Sequence, residues 1–208
     1  MRWLPRLGRR APRDVRAEEP EEEARPPLVE RPAPGIAALF ADLREDGSHR
    51  VLDLGAATGS SFRIYSRFAR RIRFADLLEA PLRGERWTEA LRLLPEAVGE
   101  PFDLVLAWNL LDRVPPELRL PVVERLTRIT GPGARLYILA DTSRKPIYQP
   151  FRFTLLGTDR VGQQAMGDPG PAGPGLLPAD VTRIIAPFDV VHAFTLRDGY
   201  REYVSVRR

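Results

Sequence analysis

Two acids and a run of small residues stand at spacings that suit the binding of a nucleotide. In HRVLDLGAATGSS, residues 49–61, an apolar run carries Asp53 and breaks into Gly55, Ala56, Ala57, Thr58 and Gly59. A buried strand that ends in such a turn and feeds a helix lets the backbone approach a ligand closely. Its amides and the helix N-terminus then face polar groups of that ligand. About twenty residues further on, Asp76 and Leu77 close the segment RIRFADL, 71–77. A carboxylate at that place accepts both hydroxyls of a ribose. A third loop opens where FDLVLAW, 102–108, runs into Trp108 and Asn109.

Other residues are open to two readings. Trp108 either caps the sheet or walls a pocket. Asn109 and Asp112 either serve the site or cap the helix that follows. Tyr148, between Pro146 and Pro150, either lines a substrate side or anchors a loop. His192 alternates with apolar neighbours, a pattern that predicts a packed or edge position rather than a general base. The catalytic residues therefore stay unassigned. The chain has no cysteine, and its two histidines are His49 and His192. Disulfides and thiolate chemistry are excluded, and no metal site is expected.

The elements around these residues alternate. Apolar spacing predicts helices over IAALFADLRED (36–46), SFRIYSRFARR (61–71), WTEALRLLPEA (87–97) and LRLPVVERLTRI (118–129), the last with Pro121 in its first turn. Between them, 51–54, 71–77, 102–108 and 134–142 read as strands. The rhythm predicts an α/β fold: a Rossmann-like, doubly wound, mostly parallel sheet with helices on both faces. No strand is legible between Asp76 and Phe102, so the sheet is expected to be one strand short. Beyond Thr142 the rhythm stops. A hairpin around Gly157, a Gly/Pro loop over 167–178 and a short helix over 178–187 lead to strands 188–196 and 201–207. These last two predict a closing antiparallel hairpin.

The 208 residues carry a net charge of +4, with arginine supplying nearly all the positive charge. Arg70, Arg71 and Arg73 are the densest basic group of the folded part. No dominant basic stripe appears, so nucleic acid is not the expected partner. No apolar run is long enough to span a bilayer, and the basic N-terminus lacks the core of a secretory signal. A cytoplasmic protein is the expectation. Residues 1–34 change from arginine-rich to acidic to proline-rich and read as a disordered arm. The folded domain is expected over 35–208, with 143–187 as a variable substrate-side insertion.

Taken in order, these segments resemble the class I S-adenosylmethionine-dependent methyltransferases. DLGAATG is similar to their acid-x-Gly-x-Gly-x-Gly motif, with Ala57 in place of the middle glycine. FADL is similar to the acidic end of their second strand, and FDLVLAWNLL to their fourth motif. GPGARLYILAD and the FDVVHAF…REYVSV hairpin match the closing part of the sheet. The resemblance covers roughly 35–208. It implies S-adenosyl-L-methionine as cofactor, held by Asp53, Gly55, Ala56, Ala57, Gly59, Asp76, Leu77, Trp108 and Asn109. It implies methyl transfer to a small-molecule or otherwise unknown acceptor by in-line displacement. Glu79, Glu85 and Glu89 are candidates for the polar residue near the adenine. The Asn/Asp-Pro-Pro-aromatic signature of nucleic-acid amino-methylating enzymes is absent, since Trp108-Asn109-Leu110-Leu111 stands there.

Two alternatives remain at this level. A methyltransferase-like module without turnover, acting as a binding partner, fits Ala57, the short sheet and the missing base. A nicotinamide-dependent Rossmann oxidoreductase fits less well, because the turn lacks the G-x-G-x-x-G spacing.

Overall fold

A computed structural model describes residues 26–82, 84, 86–143, 147–171 and 175–208. In chain order its elements are β1 (Val29–Pro32), α1 (Pro34–Phe40), β2 (His49–Asp53), α2 (Gly59–Tyr65), β3 (Ala69–Phe74), α3 (Glu79–Leu82) and α4 (Trp87–Ala90). Then come β4 (Phe102–Leu106), α5 (Leu110–Arg113), α6 (Pro116–Ile129), β5 (Thr130–Asp141), β6 (Ile147–Tyr148), β7 (Phe151–Leu155) and β8 (Arg160–Ala165). The last are β9 (Gly170–Pro171), α7 (Pro178–Ile184), β10 (Phe188–Thr195) and β11 (Tyr200–Arg207).

The main sheet runs β10-β11-β5-β4-β2-β3. Its β3-β2-β4-β5 part is parallel, and β11 pairs antiparallel with both β5 and β10. Among the described residues no strand lies between Asp76 and Phe102, so β3 is an edge, as the sequence predicts.

Alternation along the central strands feeds two cores. Leu52, Val105, Leu136 and Ile138 face Val122, Val123 and Leu126 of α6 and Val181 and Ile184 of α7. Val51, Leu104, Leu106 and Leu139 face Ile36, Leu39 and Phe40 of α1 and Ile64 and Tyr65 of α2. Each fully buried aliphatic contributes about 1.5–3 kcal/mol of transfer free energy. This two-faced burial is what the continuous apolar strands require.

A second sheet, β1-β8-β7, is antiparallel throughout. The β7–β8 hairpin turns around Gly157, as expected, and lays Phe153, Leu155 and Val161 on the α1–α2 core. Its third strand revises the expected boundary of the arm at residue 34. Val29 pairs with Gln163 and Pro32 with Arg160, so the fold includes β1. The part of the arm over 1–25 lies outside the described residues. Glu202 of β11 is fully buried and accepts hydrogen bonds from Gly35 N (2.6 Å), just after β1, and from Tyr137 Oη (2.8 Å). That carboxylate ties the start of α1 to the main sheet.

Four predicted helices shift. The first spans 34–40 rather than 36–46, and α2 ends at Tyr65, so that β3 begins at Ala69. The segment 87–97 gives only α4 and one 3₁₀ turn, Leu91–Leu93. Pro95 then stands in extended chain and cannot continue the helix. Pro116 opens α6, which puts Pro121 inside that helix rather than in its first turn. Of the Gly/Pro loop over 167–178, Gly170–Pro171 pairs with Ile147–Tyr148, and 172–174 lie outside the described residues. Among the described residues no helix is long and apolar enough to cross a membrane.

Candidate functional site

The parallel strands deliver the candidate residues to one edge of the sheet. Asp53 ends β2, Asp76 follows β3, and Trp108 and Asn109 follow β4. The order β5-β4-β2-β3 reverses direction between β2 and β4, which is where open α/β sheets take ligands.

Asp53 is 1% exposed, and its carboxylate is fully engaged by the chain. Tyr65 Oη donates to Oδ2 at 2.6 Å, while Trp108 Nε1 (2.6 Å) and Gly55 N (2.8 Å) donate to Oδ1. Burial pushes its pKa up to about 6 even against these three donors. The resemblance assigned Asp53 to the cofactor. Here these three donors make it the organiser of the turn.

The turn itself faces solvent. Ala57 and Gly59 are exposed, and Ala56 is half-buried. Their amides have no acceptor among the described residues. A Cβ added at Gly59 meets nothing, whereas one at Gly55 would come within 3.0 Å of Trp108 Nε1. Thr58 closes the turn by accepting from Ser61 N, the N-cap bond of α2.

Asp76 is half-used. Its Oδ1 accepts from Leu78 N (3.1 Å) and Glu79 N (3.2 Å). Its Oδ2 is buried and has no hydrogen-bond partner; Arg152 Nη2 stands 3.8 Å away. Burial raises its pKa as well. Leu77, next to it, is fully buried.

Trp108 has φ +50 and is 1% exposed. A non-glycine residue in the left-handed region costs about 1–3 kcal/mol, and three contacts hold it there. These are the bond to Asp53, an edge-on contact with Tyr137 (5.7 Å) and a stack on Phe153 (5.9 Å, 11° between planes). Phe153 belongs to β7, which Leu155 N pins to the turn helix through Ser61 Oγ at 3.1 Å.

Asn109 does not cap α5 through its side chain. It is fully buried, its Nδ2 donates to Tyr148 Oη at 2.8 Å, and its Oδ1 has no partner. Asp112 also faces inward. Its Oδ2 accepts from Asp141 N at 2.9 Å, and burial pushes its pKa up to about 8. Next to it, Arg113 has a buried Nη1 with no hydrogen-bond partner, and burial lowers its pKa. Arg113 and Arg152 were not foreseen. Their only sequence signal is position, one just past the β4 loop and one in the hairpin. His192 lies exposed on edge strand β10, stacked on Phe194. Among the described residues no group of acids and histidines forms a metal site.

No protein-family model and no curated protein matches this sequence. Solved structures do. One is 1,6-didemethyltoxoflavin-N1-methyltransferase of Burkholderia thailandensis, determined with 1,6-didemethyltoxoflavin and S-adenosylhomocysteine bound. It is similar with a TM-score of 0.52 and 20% identity, over 84% of this chain and 76% of that one. Another is the N-methyltransferase NodS of Bradyrhizobium japonicum WM9, with a TM-score of 0.50 and 12% identity, over 84% and 92%. The chain has the methyltransferase fold. In that fold Asp76, Asn109 and the turn 55–59 follow the C-terminal ends of β3, β4 and β2, where Trp108 donates to Asp53.

Proposed function

We infer that the protein binds S-adenosylmethionine and transfers a methyl group to a small-molecule acceptor. The observation that carries this reading is two buried atoms without a hydrogen bond near the sheet edge: an acceptor on Asp76, which has only the longer Arg152 ion pair, and a donor on Arg113. A hydroxyl both donates and accepts, so a ribose diol complements these two atoms. The free amides of Ala56, Ala57 and Gly59 supply further donors beside it. The nucleoside end of the cofactor thus fits the residues present. The acid of β2 does not fit the other end in this conformation, because Trp108 and Tyr65 hold it.

When bound, S-adenosylmethionine supplies an activated methyl on a sulfonium sulfur. The chain's own part is to hold the two reactants in line and exclude water, since proximity and orientation supply most of the rate. A hydroxyl or ammonium acceptor also needs a base. Asp112 has its pKa pushed up to about 8 and lies beside Asn109 and Tyr148 at the edge of β4 and β5, the position such a base would take. The variable segment 143–187 contributes Tyr148, Arg152 and Phe153 to the same edge, in keeping with an acceptor-side role. We read the protein as cytoplasmic, in keeping with a chain that has no cysteine.

Calorimetry with S-adenosylmethionine and S-adenosylhomocysteine tests the reading. Binding by the wild type, strongly weakened in Asp76→Ala, supports it; no binding at millimolar ligand sinks it. The closed Asp53–Trp108 contact favours a second reading, a methyltransferase-like module that binds without turnover. Ligand binding with no methyl acceptor found in a metabolite screen would favour that module.

A further inference from the structure

The turn after β2 and the loop after β4 are in direct contact. Gly55 faces the Trp108 indole so closely that even one added carbon would meet Nε1 at 3.0 Å and Cδ1 at 3.1 Å. Nothing can lie between them while the indole stays. The acid they enclose is held only by neutral donors: a phenol, an indole N–H and a backbone amide. A buried carboxylate gains more from a cation than from a neutral donor, so a cationic ligand group would compete for the same oxygen. The indole is held in turn by a stack on Phe153, from the hairpin that crosses the turn helix.

We propose that Trp108 determines which ligands enter the site. With the indole on Asp53, the edge admits a nucleoside at Asp76 but excludes the amino-acid arm of a full cofactor. The indole must leave Asp53 before the ammonium of that arm can replace it. This rests on the S-adenosylmethionine reading, because it is that ligand whose arm carries the ammonium.

Adenosine and S-adenosylhomocysteine differ by that arm alone, so the pair isolates the effect. Both are titrated calorimetrically into wild type, Trp108→Gly and Trp108→Phe. Glycine suits the left-handed backbone and removes the ring. Phenylalanine keeps the packing on Phe153 but has no Nε1 hydrogen, and it decides the matter if the glycine variant melts early. Adenosine should bind all three proteins within about twofold. S-adenosylhomocysteine should bind Trp108→Gly at least about tenfold more tightly than wild type, and Trp108→Phe several-fold more tightly, as expected when a competing contact worth a hydrogen bond to a charged group is removed. In wild type it should also shift indole fluorescence to the red, and adenosine should not.

Adenosine binding retained, with S-adenosylhomocysteine unchanged or weaker in the variants, overturns the proposal and leaves the cofactor reading standing. Failure of all three proteins to bind either ligand overturns the cofactor reading and this proposal together.

Discussion

The indole Nε1 of Trp108 donates to Asp53 at 2.6 Å across 55 residues of sequence, joining the ends of two neighbouring parallel strands. Tyr65 completes the grip from the helix that follows the turn. The network is buried and engages both carboxylate oxygens, so its worth shows when one acceptor is lost.

Asp53→Asn replaces one of the two acceptor oxygens with a donor, which then faces Tyr65 or Trp108. The expected loss of stability is about 1–3 kcal/mol, the cost of a buried unsatisfied group. Urea denaturation of the two proteins measures it. Unchanged stability would mean that the carboxylate is not the hub of this end of the sheet.

Asp76→Asn keeps an acceptor for the amides of Leu78 and Glu79 but loses the charge. The melting temperature should change little. Affinity for S-adenosylhomocysteine should drop about tenfold or more, as a hydrogen bond to a charged group is worth about 1.5–3 kcal/mol. Isothermal titration with both proteins reads both ends of this prediction, since adenosine should lose as much.

Asp53 and Asp112 both have pKa values raised by burial, to about 6 and about 8. An acid raised in the folded state binds more protons there than in the unfolded chain, so stability falls as pH rises between the two values. For Asp112 that window runs from the usual carboxylate range to about pH 8. The melting temperature of wild type should therefore decline across that range. Asp112→Asn should flatten the part above about pH 6, where Asp53 has finished titrating. A wild-type profile that rises with pH would contradict the burial of both groups.

Glu202→Gln tests the tie between α1 and the main sheet. The carboxylate accepts from Gly35 N and Tyr137 Oη, and glutamine offers only one oxygen to these two donors. A loss of about 1–3 kcal/mol is expected. Hydrogen exchange should show faster opening of α1 than of β5.

The turn, both acids and the closing hairpin were legible because each is a local pattern of apolar run, breaker and charge. Asp76 was found from its spacing to the turn, and the short sheet from the absence of an apolar run before Phe102. What was hidden is what long-range pairing decides. VERP reads as proline-rich tail, and becomes β1 only because β8 lies beside it, with Val29 opposite Gln163. Nor can sequence show Trp108 arriving from the next strand to donate to Asp53. Arg113 and Arg152 look like ordinary surface arginines until the fold buries one terminal nitrogen of Arg113 and brings Arg152 to Asp76.

Ending the sheet at β3 leaves an unpaired row of backbone donors and acceptors, an open template on which a second chain can add a strand. Three of the six residues of that strand are exposed arginines, Arg70, Arg71 and Arg73. Bringing another such strand alongside would bring like charges together, and charged edge strands resist that kind of aggregation. At the opposite edge β10 breaks its register between Val190 and His192, a bulge that spoils the straight ladder an incoming strand needs. The densest basic group of the folded part thus has a use at this edge, which is to keep a shortened sheet from growing.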